Sequence, residues 1–162
     1  MPYIPFHSRF PQIAEKETRT VTVLRRTDAG LPPGEYSFLE LFCDEAGCDC
    51  RRVFLSVISR RRGVECVIAY GWENRDFYVK WMGDDDPLVT ESLQGPVLNM
   101  TSPQTDLAPA ILDLFKNALL PDSRYINRIK EHYRIFRQSI DDAESRKLAR
   151  RGKRGIRKSR SY

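Results

Sequence analysis

Histidine is scarce in this chain, acid is missing from its last stretch, and no apolar run is long. With two histidines in 162 residues, any general-base role would fall to His132 or a carboxylate. No segment approaches the roughly 20 apolar residues that a bilayer span needs. The opening MPYIPFHSRFPQ carries three prolines where a signal peptide requires an apolar core. The expectation is therefore a cytoplasmic or equivalently reducing compartment, where thiols stay reduced and four cysteines suggest metal ligands or buried residues before disulfides. Catalytic signatures are missing as well: there is no HExxH, no Walker-type phosphate loop, no GxSxG, and no His-x-Glu followed by a cysteine pair. These absences lean the expectation away from an enzyme.

From Arg146 to Tyr162 the chain holds nine Lys or Arg and no acid, leaving 18 bases against 22 acids before it. The formal charge of +5 thus divides into −4 on the body and +9 on the tail. The run RKLARRGKRGIRKSR has little apolar surface to bury and is expected to be a disordered tail. Its early part is in register to extend a preceding helix through Ala149, with Gly152 as the stop. Arg146, Lys147, Arg150, Arg151, Lys153, Arg154, Arg157, Lys158 and Arg160 are the candidate nucleic-acid contacts, acting through phosphates and counterion release. The plainer reading is a solvated tail. Arg51 and Arg52, and the hairpin-tip Arg60, Arg61 and Arg62, are secondary basic candidates.

What is present between these ends has the rhythm of strands followed by helices. TRTVTVLRR, EYSFLELFC, RRVFLSVIS, VECVIAYGW and DFYVKWM are rich in β-branched and aromatic residues and separated by short turn-like clusters. Five antiparallel strands in a meander follow. Val53, Leu55 and Val57 alternate onto one face, as do Cys66, Ile68, Tyr70 and Trp72, and as do Phe77, Val79 and Trp81 in the fifth segment. The Gly/Pro/Ser/Thr-rich stretch 83–105 is expected to be a connection, with Asp84, Asp85 and Asp86 a solvated turn rather than a cation site. Asp106 is the candidate cap of a helix carrying Leu107, Ile111, Leu114, Phe115 and Ala118. A second helix from about Ser123 carries the stripe Ile126, Ile129, Tyr133, Phe136 and Ile140. The fold class expected is α+β, with two C-terminal helices packed on one face of the sheet. The division expected is an N-terminal arm over 1–17, one α+β domain over 18–145, and the basic tail over 146–162.

Cys43, Cys48 and Cys50 fall within eight residues, in FCDEAGCDCRR. Cys43 ends one expected strand and Cys50 begins the next, so a hairpin would bring them about 5 Å apart with Cys48 in the loop. Three thiolates so arranged suit zinc, which takes sulfur at about 2.3 Å in a tetrahedron. A Cys43–Cys50 cross-strand disulfide and unliganded thiols are the alternatives. Cys66 is excluded by register: pairing Ser59 with Val64 sets it opposite Val57, about 24 Å along the strand from Cys50, and makes it a core thiol. His132, on the edge of the second helix's apolar stripe, is the candidate fourth ligand, with His7 a weaker competitor. The plainer reading of His132 is a partly buried helix histidine satisfied by a backbone carbonyl.

The run GEYSFLELFCDEAGCDCRRV, with YGWE and the later HYRIFR, resembles a set of uncharacterised bacterial proteins that share the motif C-D-x-x-G-C-D-C-R-R-V. The resemblance covers about residues 34–137. It implies a metal site and carries no activity with it. The function expected is a non-catalytic, zinc-stabilised domain attached to nucleic acid or a ribonucleoprotein by its tail. A protein-interaction adaptor with a structural metal, and a metalloenzyme with a three-cysteine site, are the alternatives.

Overall fold

The computed structural model describes residues 3–159, with side chains described through Arg154. Arg160, and the side chains of Arg157 and Lys158, lie outside what is described.

The order of elements is β1 (Tyr3–Pro5), α1 (Phe6–Arg9), α2 (Pro11–Glu17), β2 (Arg19–Val23), β3 (Gly34–Cys43), β4 (Arg52–Ser59), β5 (Gly63–Gly71), α3 (Arg75–Met82), α4 (Pro87–Gln94), β6 (Val97–Leu98), α5 (Ala108–Leu114), a π-helical turn (Phe115–Leu119) and α6 (Ser123–Ser159). All strand pairings are antiparallel. β3 pairs with β4 along one edge and with both β1 and β2 along the other; β4 continues to β5, and β5 to β6. The fold is thus the expected α+β, a meander of β2 to β5 with a short strand added at each side. Among the described residues no helix is long and apolar enough to cross a membrane.

Burial follows the period-two and period-3.6 patterns of the sequence. Tyr36, Phe38 and Phe42 of β3, Val53, Leu55 and Val57 of β4, and Cys66 and Ile68 of β5 are buried. Against them lie Ile111 and Phe115 from the first helical segment and the α6 stripe Ile126, Ile129, Tyr133, Phe136 and Ile140. Burying each such side chain contributes about 1.5–3 kcal/mol, so α6 is held by packing far more than by its own propensity.

Four segments depart from the expectation. DFYVKWM is helix α3, not a fifth long strand: the Asn74 side chain accepts the Phe77 N–H at 2.9 Å, and Gly83 ends the helix in the left-handed conformation at φ 71°. Its alternating Phe77, Val79 and Trp81 follow a strand period, but in the helix only Phe77 and Trp81 share a side and Tyr78 is the buried residue, so the capping residues decide. The connection 83–105 contains α4, capped by Asp86 with Pro87 in the first turn, and β6. Asp106 does not cap α5, which starts at Ala108; its carboxylate instead receives Arg62 at 2.6 Å. Finally, the N-terminal stretch is no free arm over its described residues: Tyr3 pairs with Cys43 and Pro5 with Leu41, which adds β1 to the sheet ahead of α1 and α2.

Two finer points of register matter. Ser59 pairs with Gly63, not Val64, and a bulge between Val57 and Ile58 restores the pairing of Val57 with Cys66. The residue the bulge absorbs is Glu65, whose buried carboxylate accepts hydrogen bonds from the hydroxyls of Ser59 and Thr105. The second point concerns the C-terminus, where α6 does not stop at Gly152 but runs helical to Ser159. No Cβ-blocking contact or positive φ marks Gly152 as a cap, and cations near a helix C-terminus oppose its dipole favourably.

Candidate metal centre

The cysteine loop sits at one end of the sheet. Cys43 is the last residue of β3, Cys48 lies in the loop, and Cys50 comes two positions before β4. The three sulfurs lie within 4.8 Å of one another, near the roughly 3.8 Å edge of a tetrahedron with 2.3 Å zinc–sulfur bonds. Cys43 and Cys50 are buried and Cys48 is half-buried, and all are free thiols. Burial raises the pKa of each of the three, by disfavouring the thiolate. A cation among them reverses that balance, because coordination deprotonates thiols.

Convergence does not come from the expected hairpin register, because β3 and β4 cease to pair at Leu41 and Phe54. It comes from a loop with two left-handed residues, Gly47 at φ 72° and Arg51 at φ 48°. Arg51 is unusual there, since its Cβ makes that region costly. Five contacts with side chains hold it. Its N–H donates to the Tyr133 hydroxyl at 3.1 Å, and its carbonyl accepts the Tyr78 hydroxyl at 2.9 Å. Its guanidinium pairs with Asp49 at 2.9 Å and Glu73 at 3.2 Å and lies 4.6 Å from the Phe77 ring centroid. The turn that aims Cys50 back at Cys43 is therefore fixed by side chains from α3 and α6.

Helix α6 grips the same loop. The buried Arg137 donates to the carbonyls of Cys43 and Glu45, both at 2.7 Å, and Asp141 accepts the Gly47 N–H at 3.2 Å. On the other side Tyr3 of β1 pairs with Cys43, stacks on Phe54 at 4.0 Å, and accepts Arg52 at 3.4 Å. The loop thus ties the N-terminal strand, the sheet and the long helix together at one point.

His132 is not brought to the sulfurs. Its Nδ1 lies 2.7 Å from Glu40 Oε2 and its Nε2 2.5 Å from Glu17 Oε2, so both ring nitrogens are engaged by carboxylates. Phe6 stacks on the ring at 4.4 Å. Burial alone would lower the imidazole pKa, but the hydrogen bonds and charges of Glu40 and Glu17 outweigh it and the net shift is upward. Period two explains Glu40: it shares the inward face of β3 with Tyr36, Phe38 and Phe42, where only a partner on α6 makes a carboxylate tolerable. That inward acid was the signal in the sequence, and His132 is its counterpart. His7, the other candidate, is exposed on α1, and Cys66 lies on β5 opposite Val57 with its pKa pushed up to about 12 by burial.

The basic candidates separate by environment. Arg51 and Arg52 are absorbed into the fold, the latter buried and donating to the Leu93 carbonyl at 2.9 Å. Arg60 pairs with Glu35 at 3.0 Å and Arg62 with Asp106. Arg146, Lys147, Arg150, Arg151, Lys153 and Arg154 are exposed on α6, where Lys147 has Glu144 3.8 Å away. Compared with protein-family models, curated proteins and solved structures, the chain matches none.

Proposed function

We propose that the chain is a non-catalytic module stapled by zinc at Cys43, Cys48 and Cys50 and bound to nucleic acid through the exposed basic end of α6. The observation that carries the reading is the grip of α6 on the cysteine loop: Arg137 and Asp141 hold the loop that presents the three sulfurs, and the cations begin about one turn beyond, at Arg146. A metal there would anchor the root of the charged helix. Zinc suits the donor set, since soft thiolates within tetrahedral reach favour it and the metal has no redox step to protect against.

The test has two arms on purified full-length protein. Metal stoichiometry is measured for wild type and for Cys43→Ser, Cys48→Ser, Cys50→Ser and Cys66→Ser; the first three are expected to lose metal and the fourth to keep it. Fluorescence anisotropy on a mixed-sequence nucleic acid at several salt concentrations is compared with a variant lacking residues 146–162. Unchanged affinity and salt slope after that deletion would sink the nucleic-acid reading.

A further inference from the structure

Over residues 146–154 the cations of α6 are not scattered around the helix. At about 100° per residue, Arg146, Lys147, Arg150, Arg151, Lys153 and Arg154 share an arc of about 160°, while Leu148, Ala149 and Gly152 fill the rest. The arc lies on the side that carries Tyr133, Phe136 and Ile140, so the face that is apolar over the sheet becomes cationic once the sheet ends. All nine residues are exposed, and no acid follows Glu144 in the chain.

We propose that this rod docks as an intact helix in the major groove of double-stranded, B-form DNA. The inference rests on the nucleic-acid reading and narrows it. From Asp142 to Arg154 the helix extends about 18 Å at 1.5 Å per residue, longer than the groove's width of about 12 Å. A cationic arc of that breadth faces the phosphates of both groove walls at once, which a single strand does not present. RKLARRGKR contains no aromatic residue, so the rod offers no stacking platform of the kind single-strand binders use. A-form RNA buries its major groove too deeply and narrowly for a helix. The opposite side, with Leu148 as its one large apolar residue, lacks the wedge an interfacial membrane helix inserts.

The experiment uses the full chain and three fluorescent probes of equal length and mixed sequence: B-form DNA duplex, RNA duplex and single-stranded DNA. A rearranged variant combines Arg146→Ala, Arg150→Ala, Leu148→Arg and Ala149→Arg, which keeps the charge and the helix-forming composition but spreads the cations around the rod. Circular dichroism checks that its helix content is unchanged. Wild type is expected to prefer the DNA duplex by about tenfold, and the rearranged variant to lose about tenfold on that probe alone. Equal binding of wild type to all three probes, or equal duplex affinity of the two proteins, overturns the groove inference and leaves nucleic-acid binding standing. Binding to none of the probes, at any salt, overturns both.

Discussion

Cys50 and Cys66 are both fully buried thiols, yet only Cys50 has sulfur neighbours. The difference is positional: Cys50 precedes β4 in a loop bent by Arg51, whereas Cys66 faces Val57 inside the sheet. Because burial raises the thiol pKa values, metal uptake at the cluster must displace protons. Retention measured by a colorimetric chelator is therefore expected to fall as pH is lowered, steeply enough to show several protons per metal. His132 gives the opposite kind of pH dependence. Its folded pKa is raised, so its contribution to stability is complete below the unfolded value of about 6.5 and is lost as pH rises through the folded pKa. Thermal unfolding followed from pH 5.5 to 8.5, an interval chosen to bracket the ordinary imidazole range, should show wild-type Tm declining, and His132→Gln should flatten that decline. His132→Ala should cost about 3–5 kcal/mol by leaving Glu40 buried without a partner.

Among the elements, α6 passes from an apolar to a cationic character along one continuous face. Its first half is bound by core packing, so Phe136→Ala is expected to lower stability by about 3–5 kcal/mol in urea unfolding. Its second half touches nothing that would resist a change at Gly152, where an added Cβ meets open space. Gly152→Ala should therefore strengthen the helix by about 1 kcal/mol, read as increased ellipticity with core stability unchanged. This helix was half legible: the apolar stripe from Ile126 to Ile140 is a plain 3.6 period, but continuation past Gly152 is not, because one glycine in a basic run suggests a stop. α3 shows the converse ambiguity. The alternation of Phe77, Val79 and Trp81 is a strand period, and the caps at Asn74 and Gly83 override it in favour of a helix.

For the whole molecule, the cysteine loop is where three distant parts of the chain meet: β1 through Tyr3, the sheet through Cys43, and α6 through Arg137 and Asp141. Removing the proposed zinc should loosen all three together. Chelation is expected to lower Tm by several degrees and to raise amide exchange at 3–9, 43–52 and 133–141 in concert, while β4 and β5 stay protected. Exchange confined to the loop would count against the staple. The electrostatics of the molecule are similarly divided, with a body of charge −4 and a tail of +9, so polyanion affinity should fall steeply with salt and depend on the tail alone.

By itself the sequence determined what rests on local periodicity: the inward faces of β4 and β5, the stripe of α6, the exclusion of Cys66 by strand arithmetic, and the gathering of three cysteines in one loop. Only the tertiary structure decided the company that buried polar groups keep. Glu40 and His132 come from β3 and α6, with the half-exposed Glu17 of α2 on the other ring nitrogen, and the pairing of the first two is a consequence of desolvation, which gives a buried carboxylate no stable place except beside a donor. The same holds for Arg51, whose left-handed turn is held by distant Tyr78, Tyr133 and Glu73 in addition to nearby Asp49. Long-range polar contacts leave no period in a sequence, and here they moved His132 away from the cysteine cluster and placed α6 at its edge.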